Sequence, residues 1–188
     1  MSIIVKDTGS GDFQIPDSGI QNAVCSNVYD LGLQPGFQGK VQHKVAILWE
    51  LEQTITEGEY AGKRFVVSQI YTASLGEKAN LRAHLESWRG RSFTEAELEG
   101  FDIERLRGIP CLLSIVHNEK NSKTYANVSA VLKHDKRYDA MLPELERDYV
   151  PKWIADKIAA QMTADEAPQE PQDNSGQGGS EFEDDVPF

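Results

Sequence analysis

Between about residues 22 and 135 the apolar positions recur mostly with a period of two, the signature of β-strands, with one helical interruption. Ala23–Leu33 reads as a first strand, ended by Gln34-Pro35-Gly36. Lys40–Thr54 is long and alternating: Val41, Val45, Ile47, Trp49 and Leu51 share one parity, and Gln42, Lys44, Glu50 and Glu52 share the other. That alternation predicts a strand buried on one face and solvated on the other. A turn at Glu57–Gly62 leads into Lys63–Thr72, a third strand rich in Val, Ile, Phe and Tyr.

The period changes at Ser74. Ser74-x-x-Glu77 fits a capping box, Leu81, Leu85 and Trp88 follow at helical spacing, and Gly90 fits a helix end. Thr94-x-x-Glu97 opens a second, shorter helix that Gly100 stops, with Phe93 and Leu98 placed as a hydrophobic staple. Strands then return at Pro110–His117 and Thr124–Lys133 around a polar turn, Asn118–Lys123. Residues 139–161 read as two helical pieces, with Pro143 and Pro151 in or near first turns and Trp153, Ile154 and Ile158 forming an apolar stripe that packs on the body.

Three strands, a helix and two further strands is the order of an oligonucleotide-binding (OB) fold, a five-stranded Greek-key barrel with its helix between strands three and four. The expected organisation is an N-terminal extension over 1–21, an OB-fold domain with C-terminal helices over 22–161, and a tail over 162–188. The tail is rich in Gly, Gln, Pro and Ser, a composition that predicts disorder.

The 188 residues carry a formal charge of −11, unevenly placed. From Gln161 onward there are eight acids and no Lys or Arg, which leaves 22 acids against all 19 bases in residues 1–160, a net of −3. Such a balance argues against a protein that coats duplex DNA by bulk charge, yet allows a body with a local basic groove. Cys25 and Cys111 sit in apolar strand-like runs and read as buried thiols. The N-terminus lacks the pattern of a signal peptide and no apolar run suffices to span a bilayer, so a cytoplasmic protein is expected.

The chain ends Glu181-Phe182-Glu183-Asp184-Asp185-Val186-Pro187-Phe188. A terminal aromatic on an acidic string gains no packing for itself, but suits a pocket on another protein with basic residues around it. This octapeptide resembles the acidic tip of bacterial and phage single-stranded DNA-binding proteins, whose usual ending is Asp-Phe-Asp-Asp-Asp-Ile-Pro-Phe. Phe182, Asp184, Asp185, Pro187 and Phe188 match at the same spacing, while Glu181, Glu183 and Val186 are conservative departures. Two inner stretches, Tyr71–Lys78 and Leu85–Thr94, are similar to a phage replication-protein family of single-stranded DNA binders. The resemblance implies that the chain coats single-stranded DNA in replication, recombination or repair, inside a bacterial host if phage-encoded. It also implies that Asp184, Asp185, Val186, Pro187 and Phe188 recruit replication and repair proteins.

A single-strand binder needs cations for phosphates and flat side chains for bases, the latter worth about 1–3 kcal/mol per stacked base. In OB folds the face of strands two and three and its flanking loops form the groove. The phosphate candidates are therefore Lys40, Lys44, Lys63, Arg64, Lys120 and Lys123, with Lys78 and Arg82 one turn apart on the expected helix. The stacking candidates are Phe65, Tyr71 and Tyr125, with core burial as the alternative for each and the favoured one for Phe65, whereas Trp49 and Trp88 fall on core parities. His43, His84, His117 and His134 show no metal-ligand spacing, and Glu57 and Glu59 lie in a glycine-bounded turn without a partner acid. Triad, phosphate-loop and dinucleotide motifs are missing, so neither an enzyme nor a cofactor is expected. The competing reading is an OB-type adaptor of the replisome, such as a helicase loader or recombinase accessory factor, that binds protein and touches DNA little. A homodimer through an edge strand or the 151–161 helix is a further expectation.

Overall fold

The computed structural model describes residues 14–36 and 39–161. Five strands, β1 (Gly19–Pro35), β2 (Val41–Thr54), β3 (Arg64–Thr72), β4 (Pro110–Lys120) and β5 (Lys123–Lys133), form an antiparallel sheet in the order β3-β2-β1-β4-β5. Helices α1 (Asn80–Arg89) and α2 (Glu95–Glu99) and a short 3-10 turn (Ile103–Leu106) lie between β3 and β4, and α3 (Lys152–Ala159) follows β5. The outer strands β3 and β5 approach within 8 Å at their Cα atoms, so the sheet curls strongly, an arrangement compatible with a β-barrel-like fold. No helix among the described residues is long and apolar enough to cross a membrane.

The expected strand parity governs the inside of the curl. Val45, Ile47, Trp49 and Leu51 of β2 are buried with Phe65, Val67 and Tyr71 of β3 and Ile115 and Val128 of the β4–β5 pair. Helix α1 closes this core with Leu81, Leu85 and Trp88, the last donating from its indole to the Pro110 carbonyl at 3.0 Å. Gly90 ends α1 in the left-handed conformation, φ 68°, as a C-cap glycine does. The start of α1 departs from the sequence reading: Ala79 is the N-cap without a side-chain bond, and Ser74 Oγ instead accepts from the Gly76 amide at 3.1 Å, one turn before the helix. The capping box at Thr94 and Glu97 forms as expected and starts α2. Cys25 and Cys111 are buried and free, and burial pushes both thiols up, which keeps them protonated and inert.

The other face of the sheet differs more. Residues 139–151 form no helix; they run as an irregular strap across the outside of β1 and β2, and only Lys152–Ala159 is helical. A strap without secondary structure must satisfy its backbone polar groups elsewhere, and here polar residues of the strands do so. The Glu50 carboxylate, only 1% exposed, accepts from the amides of Glu144 (2.9 Å) and Leu145 (2.9 Å). Asn22 donates to the Asp139 carbonyl at 3.0 Å, Asn27 to those of Glu146 and Arg147 at 3.2 and 3.1 Å, and Gln34 to that of Lys157 at 2.9 Å. Ile154, fully buried, seats α3 on Tyr29, Leu31, Ala46 and Leu48, while Trp153 stays partly exposed. The second parity of β2, expected in solvent, is thus covered at Ala46, Leu48 and Glu50. The N-terminal boundary also moves: Gly19–Gln21 pair with β4, the Asp17 amide donates to Gln53 and His117 donates to the Pro16 carbonyl, so residues 14–21 belong to the body.

The β4–β5 strands run further than expected and meet at a two-residue turn. Asn121 and Ser122 both have positive φ, 52° and 59°, the requirement of a type I′ hairpin. Ser is a poor choice for the second position, since left-handed backbone costs a non-glycine residue about 1–2 kcal/mol. Ser122→Gly is expected to stabilise the protein by up to about 1 kcal/mol, a rise in Tm of a few degrees in thermal unfolding, and an unchanged or lower Tm would contradict the turn assignment.

Candidate nucleic-acid interface

The register separates the expected site residues into two groups. Lys44 pairs with Gly32 and Thr72 at one end of the sheet, whereas Arg64 pairs with Thr54 at the other. Eight residue steps along β3 separate Thr72 from Arg64, roughly 26 Å at 3.3 Å per residue.

At the first end Lys40 is exposed beside the turn that joins β1 to β2, its carbonyl accepting from the Gly36 amide at 2.7 Å. Lys44 is half-buried and spends its ammonium on Gln42 (2.6 Å) and Thr72 (2.8 Å). Lys78 is exposed but precedes α1 rather than lying on it, and Arg82 is held by Glu86 at 3.1 Å and the Leu75 carbonyl at 3.3 Å. Lys78 and Arg82 therefore do not share a helix face. A cavity of about 310 Å³ opens at this end between β1, β2 and the 101–104 segment. Its rim carries the pair His43–Asp30 at 2.6 Å. Burial opposes ionisation of Asp30, but the Gly32 amide and the His43 ring outweigh it and hold the carboxyl below its ordinary value. An ionised carboxylate there repels phosphate.

Two stacking candidates are corrected outright. Phe65 and Tyr71 are 5% and 3% exposed and lie in the core. Their parity follows from the register, which sets Tyr71 opposite Val45 and Val67 opposite Trp49. The Tyr71 hydroxyl meets His84 Nδ1 at 2.8 Å. Burial raises the phenol and lowers the imidazole, the latter against a bond to the Ser129 backbone, so both stay neutral near pH 7. Arg64 is a third correction: it reaches Glu50 at 3.5 Å, Glu144 at 3.1 Å and the Leu142 carbonyl at 2.8 Å, and so anchors the strap. The outer face of β2, expected to floor a groove, is occupied by the strap and α3. What stays open beside it is the outward side of β3, where Val66 and Ile70 are exposed together with Ser68.

The second group is different in kind. Lys120 and Lys123 sit directly opposite each other across the hairpin, and Tyr125 opposes Asn118 on the same face one step inward. Val116, 38% exposed, continues that face toward the sheet, and Tyr125 is 47% exposed. The face is the outer one, since Ala126, Val128 and Ile115 take the core side. Among the described residues neither ammonium has an ion pair, and like charges directly opposite on a hairpin destabilise it. Folding gains nothing from that pair; an anion lying across it would remove the cost. Lys63, exposed immediately before β3, adds a further cation at the end of the sheet toward which the hairpin projects.

Val66, Ile70 and Val116 were not among the expected site residues. Their signal was the strand parity opposite to Phe65, Val67 and Tyr71, which could be read only with the register known. The tip residues Asp184, Asp185, Val186, Pro187 and Phe188 lie outside the described residues. No family model matches this sequence, and no curated protein matches it either.

Proposed function

We propose that this chain is a sequence-independent single-stranded DNA-binding protein. Its body is an OB-type barrel whose hairpin and β3 face hold the strand, and its C-terminal tip recruits replication and repair proteins, as the resemblance to phage and bacterial single-strand binders implies. The observation that carries the reading is the β4–β5 hairpin, where two lysines without an ion pair among the described residues and an exposed tyrosine share one outward face. Stacking of bases on Tyr125 and neutralisation of phosphates by Lys120 and Lys123 are the two contacts a single-strand binder combines. The strand order supports the barrel: β3-β2-β1-β4-β5 with α1 between β3 and β4 becomes the OB order once β3 and β5 meet.

The acidic tail then acts as an internal polynucleotide mimic that DNA displaces, freeing Phe188 for a partner. Removal of residues 181–188 is expected to preserve or raise affinity for oligo-dT, measured by fluorescence anisotropy, and to abolish pull-down of host replication proteins. A truncated chain that binds DNA much more weakly would overturn the scheme. The adaptor reading has one observation in its favour, the commitment of Arg64 and Arg82 to internal pairs in a body of net charge −3. It predicts no shift of oligo-dT at moderate salt.

A further inference from the structure

Cys25 still exchanges backbone bonds with Gly108 and Ile109, but beyond it the edge of β1 that faces β4 has no strand beside it among the described residues. The 3-10 turn and the strap flank that edge, and between them lies a cavity of about 270 Å³ lined by Asn27, Tyr29, Glu104, Arg107 and Arg147, among others. It is far larger than the roughly 30 Å³ that one water occupies in the liquid.

Arg107 enters this cleft partly buried. Its Nη2 donates to the Leu145 carbonyl at 2.9 Å, but its Nε is out of reach of solvent and has no hydrogen-bond partner. It makes no ion pair among the described residues. The acid of the cleft, Glu104, stands instead 4.0 Å from Arg147, and both side chains are more than three quarters exposed, so the pair holds neither firmly. Asn27, 3% exposed, uses both protons of Nδ2 on the Glu146 and Arg147 carbonyls. Those two acceptors fix the orientation of the amide and leave Oδ1 buried without a donor. Water could satisfy the orphan atoms, but it leaves the charge of the partly buried Arg107 guanidinium without a counter-ion.

The cleft therefore offers an unmatched cation, a second cation at its mouth and an unmatched acceptor. We propose that it binds a phosphate group that retains a proton. Arg107 and Arg147 take the anionic oxygens, guanidinium to phosphate being a strong charge-assisted pairing, and Asn27 Oδ1 accepts from the P–OH. Phosphate ion and a terminal phosphate ester near its second pKa, about 6, share this chemistry. An internal phosphodiester lacks the proton, so the site is distinct from the DNA contacts of the hairpin and does not rest on them.

The test follows the Arg107 Nε–H resonance of the isotopically labelled full chain at about pH 6, where a phosphate ester is half protonated. Inorganic phosphate is expected to shift it saturably, and sulfate, which has no proton to give, to bind about tenfold more weakly or worse. Arg147→Gln, a change at an exposed side chain, is expected to weaken phosphate binding several-fold, and Arg107→Gln to abolish the saturable perturbation of the Tyr29 and Asn27 signals. A 5′-phosphorylated dT dinucleotide acting at lower concentration than phosphate assigns the terminal ester as the source, and the reverse order assigns the free ion. Non-saturable drift, equal response to sulfate, or an equal response to the 5′-hydroxyl dinucleotide would overturn the proposal. So would an Arg147→Gln chain that binds phosphate unchanged.

Discussion

Glu50→Ala is expected to cost about 3–5 kcal/mol of stability, the range for breaking a buried pair and stranding its partner. The carboxylate is 1% exposed and holds two strap amides and Arg64 at once. Its loss leaves the Glu144 and Leu145 amides without acceptors and Arg64 with only the exposed Glu144 carboxylate and a carbonyl. For a domain whose whole stability is about 5–15 kcal/mol, that is a large share. Urea unfolding should show a much lower midpoint, and hydrogen exchange should show the 140–150 amides opening well before those of β2. Glu50→Gln keeps one acceptor and should fall between the two. A midpoint within the error of the parent protein would show that the strap is not pinned there.

The same carboxylate marks what a sequence reading reaches and where it stops. The five strands were legible because period-two alternation in Lys40–Thr54 and the Val/Ile-rich runs at Lys63–Thr72 and Thr124–Lys133 depend only on neighbouring residues. So was the Thr94 capping box, which is local by nature. The strap was not legible. Glu50, Asn22, Asn27 and Gln34 look like solvent-facing polar positions, and only a chain segment about a hundred residues away makes them interior. Ala46 and Leu48 on the same parity were the clue that this face is covered. Pro151 does stand at the start of α3, as its N-cap, but no helix starts at Pro143: residues 139–150 give amides and carbonyls to strand side chains instead. The face of β3 was only partly legible: core burial was the alternative for its aromatics and the better reading for Phe65, and the register with β2 places both Phe65 and Tyr71 inside. The place of Lys120 and Lys123 on one hairpin, by contrast, was legible, because it depends on four residues of sequence around a tight turn.

Replacing Lys120, Lys123 and Tyr125 together with Ala is expected to leave folding intact and to remove most DNA affinity. All three side chains are exposed, and separating two opposed ammonium groups relieves repulsion. Loss of the stacked ring alone is worth about 1–3 kcal/mol, roughly 5- to 150-fold in Kd. Loss of two phosphate contacts should also flatten the salt dependence by about 1.4 in log Kd per log unit of salt, at 0.7 for each on a single strand. Tyr125→Phe should retain most of the affinity, since the ring supplies the stacking. An unchanged Kd in the triple variant would remove the hairpin from the interface.

The central claim is that cations and a ring on the hairpin and β3 face grip a single strand through its phosphates. The most direct measurement is a salt series of fluorescence anisotropy with labelled oligo-dT and the full chain. The expected result is binding at low salt that weakens linearly in log–log form, with a slope of about −2 for three neutralised phosphates (Lys63, Lys120 and Lys123). No binding at low salt, or an affinity that stays level as salt rises, would contradict it.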